Sequence, residues 1–131
     1  MDQVLNTLFV YGTLKHDFHN HHILSDHKSV CLGNYILRNF MMVHQGVPAV
    51  IPDPGSTVKG ELYTISVDTL KRTDYLESEG EYYLRKELEV FLNVDYGVQG
   101  RKAWVYIGSP KYWSKNNSLC KVNENGFYYW S

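Results

Sequence analysis

Two short stretches of this chain combine residue types that can handle a small polar molecule: Tyr11-Gly12-Thr13-Leu14 and Asp74-Tyr75-Leu76-Glu77. The first follows an apolar run, Leu8-Phe9-Val10, that reads as a buried strand. A glycine at the second position of such a turn lets successive backbone N–H groups converge into a concavity. A nest of this kind attracts a carboxylate or phosphate oxygen without any charged side chain. Taken alone, Y-G-T-L is more often a plain strand-ending turn. The second stretch closes a segment with helical spacing, which puts Glu77 at a helix C-terminus. The macrodipole is negative there, so a carboxylate is disfavoured by a few tenths to about 1 kcal/mol, and burial would add to that. Such a group keeps its proton to higher pH than a surface glutamate, as a general acid/base working near neutrality requires. The alternative is that Glu77, Glu79 and Glu81 form a solvated acidic loop, and without other information that reading is the commoner one.

Other residues offer weaker chemistry. Five of the six histidines, His16, His19, His21, His22 and His27, fall close together, with His44 apart. Their spacing does not match two ligands on one helix face, and no cysteine accompanies them, so they read as a polar loop with one hydrogen-bonding histidine and no metal. Tyr82-Tyr83 and Tyr128-Tyr129-Trp130 can wall a pocket with apolar faces and hydroxyl tips, although packing is the usual explanation for such residues.

The elements that must position these groups follow from periodicity. Val4 to Tyr11 reads as a strand inside a sheet, and a short helix is expected around Asn20 to Leu24. Val30 to Val43 alternates loosely and holds one long strand or two short ones. Gly46 to Ser56 contains three prolines and two glycines, which excludes a helix and favours extended backbone. Thr57 to Ile65 alternates again, interrupted by Gly60, where a bulge or a close backbone approach is expected. Ser66 or Asp68 can cap a helix running to about Leu76. After a polar break at Ser78 to Glu81, Tyr82 to Val94 has period two, with Tyr83, Arg85, Glu87, Glu89 and Phe91 on one face. Ala103 to Ile107 is the last clear strand, and the aromatic tail, 110–131, reads as loop packed against the body. This order predicts an α+β fold, a small mixed β-barrel or sheet with flanking helices, in a single domain over 1–131.

Composition narrows the partners. A hydrophobic fraction of 44% and a charged fraction of 21% are those of a globular protein, and a net charge of −1 gives no field to draw the chain to nucleic acid or a membrane. No signal peptide or transmembrane run is apparent, and Cys31 and Cys120 are too few for a disulfide framework. A cytoplasmic protein, monomeric or weakly dimeric, with no stable nucleic-acid or membrane contact is the expectation.

The motifs also occur in a telling order: V-Y-G-T-L-K, then N-H-x-x-L from Asn20, G-x-P-A-x from Gly46 and V-x-G-E-L-Y from Val58. A helix closing in D-x-L-E follows, with Y-x-R (Tyr83 to Arg85) six residues beyond the glutamate. This arrangement, over roughly 5 to 107, resembles the gamma-glutamylcyclotransferase-like (AIG2-like) family and within it the gamma-glutamylamine cyclotransferase branch. The resemblance implies a small mixed barrel with a cavity at one end. It also implies a reaction, in which the substrate's own α-amino group attacks its γ-carbonyl to give 5-oxoproline and a free amine. The family's glutamyl-holding loop maps onto Tyr11, Gly12, Thr13 and Leu14, its catalytic glutamate onto Glu77, and Tyr83 joins the substrate-binding set. The partner implied is a small gamma-glutamyl substrate, with no metal or organic cofactor. One carboxyl of raised pKa can take the proton from the attacking amine and return one to the departing amine. Holding nucleophile and carbonyl in one folded molecule removes much of the entropic barrier. Glu79 and Glu81 lie where the amine arm would pass and would suit a cationic leaving group, unless they are solvated loop charge. A non-catalytic module of the same fold, binding a small glutamyl-like ligand, is the alternative, and a glutamyl adduct on a macromolecule is a third reading.

Overall fold

The strands of this chain carry apolar residues on both faces, as a small closed barrel with an outer layer demands. In the computed structural model, which describes residues 5–12, 14–15, 21–24, 29–92 and 100–131, five strands close on one another. They are β1 (Leu5–Val10), β2 (Val30–His44), β3 (Pro48–Ser66), β4 (Tyr83–Leu92) and β5 (Gly100–Gly108). The pairings run β2–β4–β5–β1–β3, and β3 returns to β2 to close the ring. The long pairings are antiparallel, while β5 meets β1 and β3 in parallel, so the barrel is mixed.

Period-two alternation divides the apolar residues between two cores. Phe9, Leu37, Met42, Val50, Val58, Leu62, Val90, Ala103 and Val105 come from all five strands and fill the barrel. Leu8, Val10, Val43, Ile51, Ile65 and Tyr106 form the opposite face, covered by Leu70 of helix α1 (Val67–Leu76) and by Leu24 of a single 3-10 turn at His21–Leu24. The helix starts where the sequence says it should. Ser66 is extended, and its hydroxyl oxygen accepts the Thr69 N–H at 3.1 Å.

Three features differ from the sequence reading. The proline-rich segment is part of β3 itself, because Pro48 begins the strand and Pro52 and Pro54 occupy exposed positions beside a bulge. There β2 shifts register between Arg38 and Phe40. Asn39 adopts φ 69, and its Oδ1 accepts the Gly55 N–H at 3.1 Å. The tail is more ordered than a loop: β6 (Ser118–Leu119) extends β2, while β7 (Lys121–Val122) and β8 (Tyr128–Tyr129) pair with each other and β8 with β3. In place of the expected short helix, His21–Leu24 form a single 3-10 turn. Val4, Asn20 and the end of the Tyr82–Val94 strand lie outside the described residues.

Gly60 marks a close approach rather than a bulge. A Cβ there would lie 2.5 Å from the Val10 carbonyl oxygen and 2.6 Å from Cζ of Phe9. Gly60→Ala is therefore expected to destabilise the fold by about 1–3 kcal/mol in urea unfolding, because backbone and a buried ring must both shift; an unchanged midpoint would show that the barrel yields freely at this point.

Candidate active site

At one end of the barrel, β1 runs out into the Tyr11–Leu14 turn, the β2–β3 hairpin turns over, and α1 ends. These three endings enclose a cavity of about 240 Å3 lined by Phe9, Val10, Tyr11, Gly12, Leu14, Val47, Pro48, Leu76, Glu77, Tyr83 and Tyr106. Glycine is required at position 12 by space. A Cβ would meet Cγ of Pro48 at 2.7 Å, so only a bare backbone lets the turn and the hairpin close on the same cavity. The turn is tied off by a hydrogen bond from the Lys15 N–H to the Gly12 carbonyl at 3.0 Å. Beyond it, the Lys15 ammonium donates to the Trp130 carbonyl at 2.8 Å, so the tail braces the turn from outside.

Glu77 is the C-cap of α1, and its N–H donates to the Thr73 carbonyl at 2.9 Å. Its carboxyl reaches the cavity, where loss of water pushes its pKa up to about 7. The surroundings reinforce this. The Tyr11 hydroxyl donates to the Tyr106 carbonyl at 2.6 Å, and the Tyr83 hydroxyl donates to the Pro48 carbonyl at 2.7 Å, so both protons are committed to main chain. Burial, with the negative charge of Glu77 as a further contribution, raises the pKa of both phenols. They remain neutral at any working pH and act as fixed dipoles. An acid/base that titrates near neutrality, beside a glycine turn, can move a proton to and from a small substrate held between them.

Of the residues singled out in the sequence, Tyr11, Gly12, Leu14, Glu77 and Tyr83 all line this one cavity; Thr13 lies outside the described residues. Glu79 and Glu81 do not line it. Glu81 accepts from the Tyr112 hydroxyl at 2.5 Å and lies 3.8 Å from the Lys111 ammonium, and Glu79 accepts the Arg85 N–H at 3.2 Å. These carboxylates tie the helix-exit loop to the tail and to β4, which removes the argument that they receive a cationic leaving group. Residues given no site role by the sequence reading complete the lining: Phe9, Val10, Val47, Pro48, Leu76 and Tyr106. The G-x-P-A-x motif was the available signal for Pro48, whereas nothing local marks Tyr106.

His16, His19 and His27 lie outside the described residues. Among those described, His21 shares a hydrogen bond through Nδ1 with the Leu14 carbonyl at 2.9 Å, and His44 packs against Trp130. Among the described residues no helix is long and apolar enough to cross a membrane.

Comparison with known proteins agrees with this architecture. The model of the family described as gamma-glutamyl cyclotransferase, AIG2-like, matches residues 8–128. The gamma-glutamylcyclotransferase family protein YtfP of Escherichia coli K12 is 33% identical over 101 residues, covering 76% of this chain and 80% of its own. A protein of Methanocaldococcus jannaschii with a provisional gamma-glutamylcyclotransferase name is 34% identical over 101 residues, covering 76% of this chain and 81% of its own. The crystal structure of an AIG2-like protein from mouse superposes with a TM-score of 0.70 at 26% identity, covering 95% of both chains. The chain belongs to the gamma-glutamyl cyclotransferase, AIG2-like family.

Proposed function

We propose that the protein converts a gamma-glutamyl amine or amide to 5-oxoproline and the free amine, with Glu77 as the acid/base. The observation that carries this reading is a carboxyl held near pKa 7 in the same small cavity as the glycine turn. The cavity is smaller than the ~300–1,000 Å3 typical of drug-sized sites, which suits a glutamyl group. Backbone N–H groups of the Tyr11–Leu14 turn would hold the glutamyl carboxylate, and Gly12 permits its close approach. The Glu77 carboxylate takes a proton from the substrate α-ammonium, and the freed amine attacks the γ-carbonyl of the same molecule. A C–N bond closes the five-membered ring, and the tetrahedral oxyanion draws on N–H donors lining the site. Protonated Glu77 returns its proton to the departing nitrogen as the original C–N bond breaks. The ring nitrogen still carries a second proton; the regenerated Glu77 carboxylate takes it and passes it to the released amine, which leaves as an ammonium, so two protons leave the α-nitrogen and two reach the departing one.

Glu77→Gln is expected to reduce turnover by about 10²–10⁴-fold in a 5-oxoproline release assay while leaving the circular dichroism spectrum intact. Undiminished turnover would remove Glu77 from the chemistry, and ligand binding by wild type without turnover would instead favour a binding module of the same fold.

The base form of Glu77 is the active one, so kcat/KM is expected to rise with pH through a midpoint of about 7. A midpoint near 4.5, the value of an unshifted glutamate, would contradict the dry site.

The same shift affects stability. Between 4.5 and about 7 the folded chain holds more protons than the unfolded one, so stability falls as pH rises across that window. Glu77→Gln removes the penalty. The variant is expected to be more stable than wild type by about 1–2 kcal/mol above the window, a figure lowered for partial solvation, and this advantage is expected to disappear below it. Thermal melts at both extremes check the sign, and equal advantages at both would contradict it.

A further inference from the structure

Two residues of the motif series, Asp74 and Arg85, take no part in the chemistry just described, yet they meet beside the cavity. The Tyr106 hydroxyl donates to Oδ1 of Asp74 at 2.6 Å and lies 2.7 Å from Oγ1 of Thr73. Arg85 places Nε 2.9 Å from the same Asp74 oxygen, with its N–H directed off that line, so the contact is charge on charge. Arg85 and Tyr106 are direct cross-strand partners on β4 and β5. The Arg85 guanidinium is itself fixed by lying 4.3 Å over the Trp104 ring.

The residues gripped in this way are those that carry the helix exit. The Thr73 carbonyl accepts the Glu77 N–H, and the Asp74 carbonyl accepts the Glu79 N–H at 3.0 Å. On its main-chain side, Tyr106 accepts the Tyr11 hydroxyl at 2.6 Å. One residue of β5 thus bonds the substrate turn through its carbonyl and the last turn of α1 through its phenol. Burial of Leu70 and Thr69 and the Ser66 cap already dock the helix at its other end. The Asp74–Arg85 pair is mostly withdrawn from water, with side chains 25% and 22% exposed, so its desolvation offsets much of its attraction. Its specific contribution is geometric.

We propose that Tyr106, Asp74 and Arg85 act as a positioning lock, which fixes the final turn of α1 and the Glu77 carboxylate relative to the Tyr11–Leu14 turn. Arg85 has a second effect. It balances the Asp74 charge one helical turn before Glu77; among the described residues the other titratable groups lining the cavity with Glu77 are the neutral phenols Tyr11, just beyond β1, Tyr83 from β4 and Tyr106 from β5. Leaving Asp74 unbalanced places a like charge near Glu77 and favours its protonated form.

This inference rests on Glu77 being the acid/base, so its test includes a measurement that needs no turnover. Tyr106→Phe, Arg85→Met, Asp74→Asn and Asp74→Ala would be assayed across pH. The Glu77 carboxyl would also be titrated directly by carboxyl-selective NMR, assigned with Glu77→Gln. Tyr106→Phe is expected to lower kcat by on the order of tenfold to a hundredfold with KM changed less than about threefold, as misplacement of a reacting group does. Arg85→Met is expected to move the Glu77 midpoint upward in both the pH profile and the NMR titration. Asp74→Asn, which keeps an acceptor for Tyr106, is expected to retain more kcat than Asp74→Ala.

Folded variants with wild-type kcat and an unmoved Glu77 midpoint would overturn the lock. So would losses accounted for wholly by the unfolded fraction in melts. Should wild type turn over no gamma-glutamyl compound, the proposed function fails, and the NMR titration alone decides the lock: an upward shift in Arg85→Met supports it, and an unmoved midpoint overturns it.

Discussion

A carboxyl group at the carbonyl end of a helix, largely withdrawn from water, is the constraint that the rest of the structure accommodates. Desolvation holds Glu77 near pKa 7, a shift that lasts only while the surrounding groups exclude water and supply no compensating positive charge. The enclosing residues come from distant parts of the chain. Tyr11 bonds Tyr106 across 95 positions and Tyr83 bonds Pro48 across 35, and the pairing of β5 with β1, β3 and β4 is what brings these distant residues together.

The site is mostly backbone and neutral phenol. Committing the Tyr11 and Tyr83 protons to carbonyls keeps both rings fixed and leaves Glu77 as the ionisable group of the cavity that titrates near neutrality. Gly12 and Pro48 form a matched pair. The glycine has no side chain where the proline ring lies, so the turn and the hairpin approach as closely as main chain allows. The tail contributes from outside, through Trp130 on Lys15, Tyr112 on Glu81 and Trp113 packed over Gly108. It steadies the loops that flank the cavity without lining it.

Much of this was legible in the sequence, for identifiable reasons. The helix over Val67–Leu76 has a strong local cap at Ser66 and a clear end, so its exit residue could be named. The strands with clean alternation were also evident, and Tyr11, Gly12, Leu14, Glu77 and Tyr83, singled out through the family motifs, line one cavity. What escaped depends on long-range pairing. Prolines in Pro48–Ser66 point locally to extended backbone but not to a paired strand, and only the β2 partner, bulged at Asn39, shows how the ladder runs past them. The tail strands are two residues each, too short to carry a period. Glu79 and Glu81 looked available to substrate because their partners, Arg85, Lys111 and Tyr112, lie on other elements. Tyr106 was one apolar position among several in A-W-V-Y-I, and its double connection joins the Tyr11 turn to α1, which no local pattern relates.

The central claim is intramolecular: the glutamyl amine, and not water, attacks the γ-carbonyl. The direct measurement is to run a panel of gamma-glutamyl amino acids, gamma-glutamyl-ε-lysine, gamma-glutamyl polyamines and glutathione in heavy-oxygen water and weigh the products by mass spectrometry. The expected product is 5-oxoproline without heavy oxygen, formed in step with the released amine. Glutamate carrying heavy oxygen would show hydrolysis in place of cyclisation, and silence across the panel would show that the dry carboxyl serves something other than this reaction; either result would contradict the account.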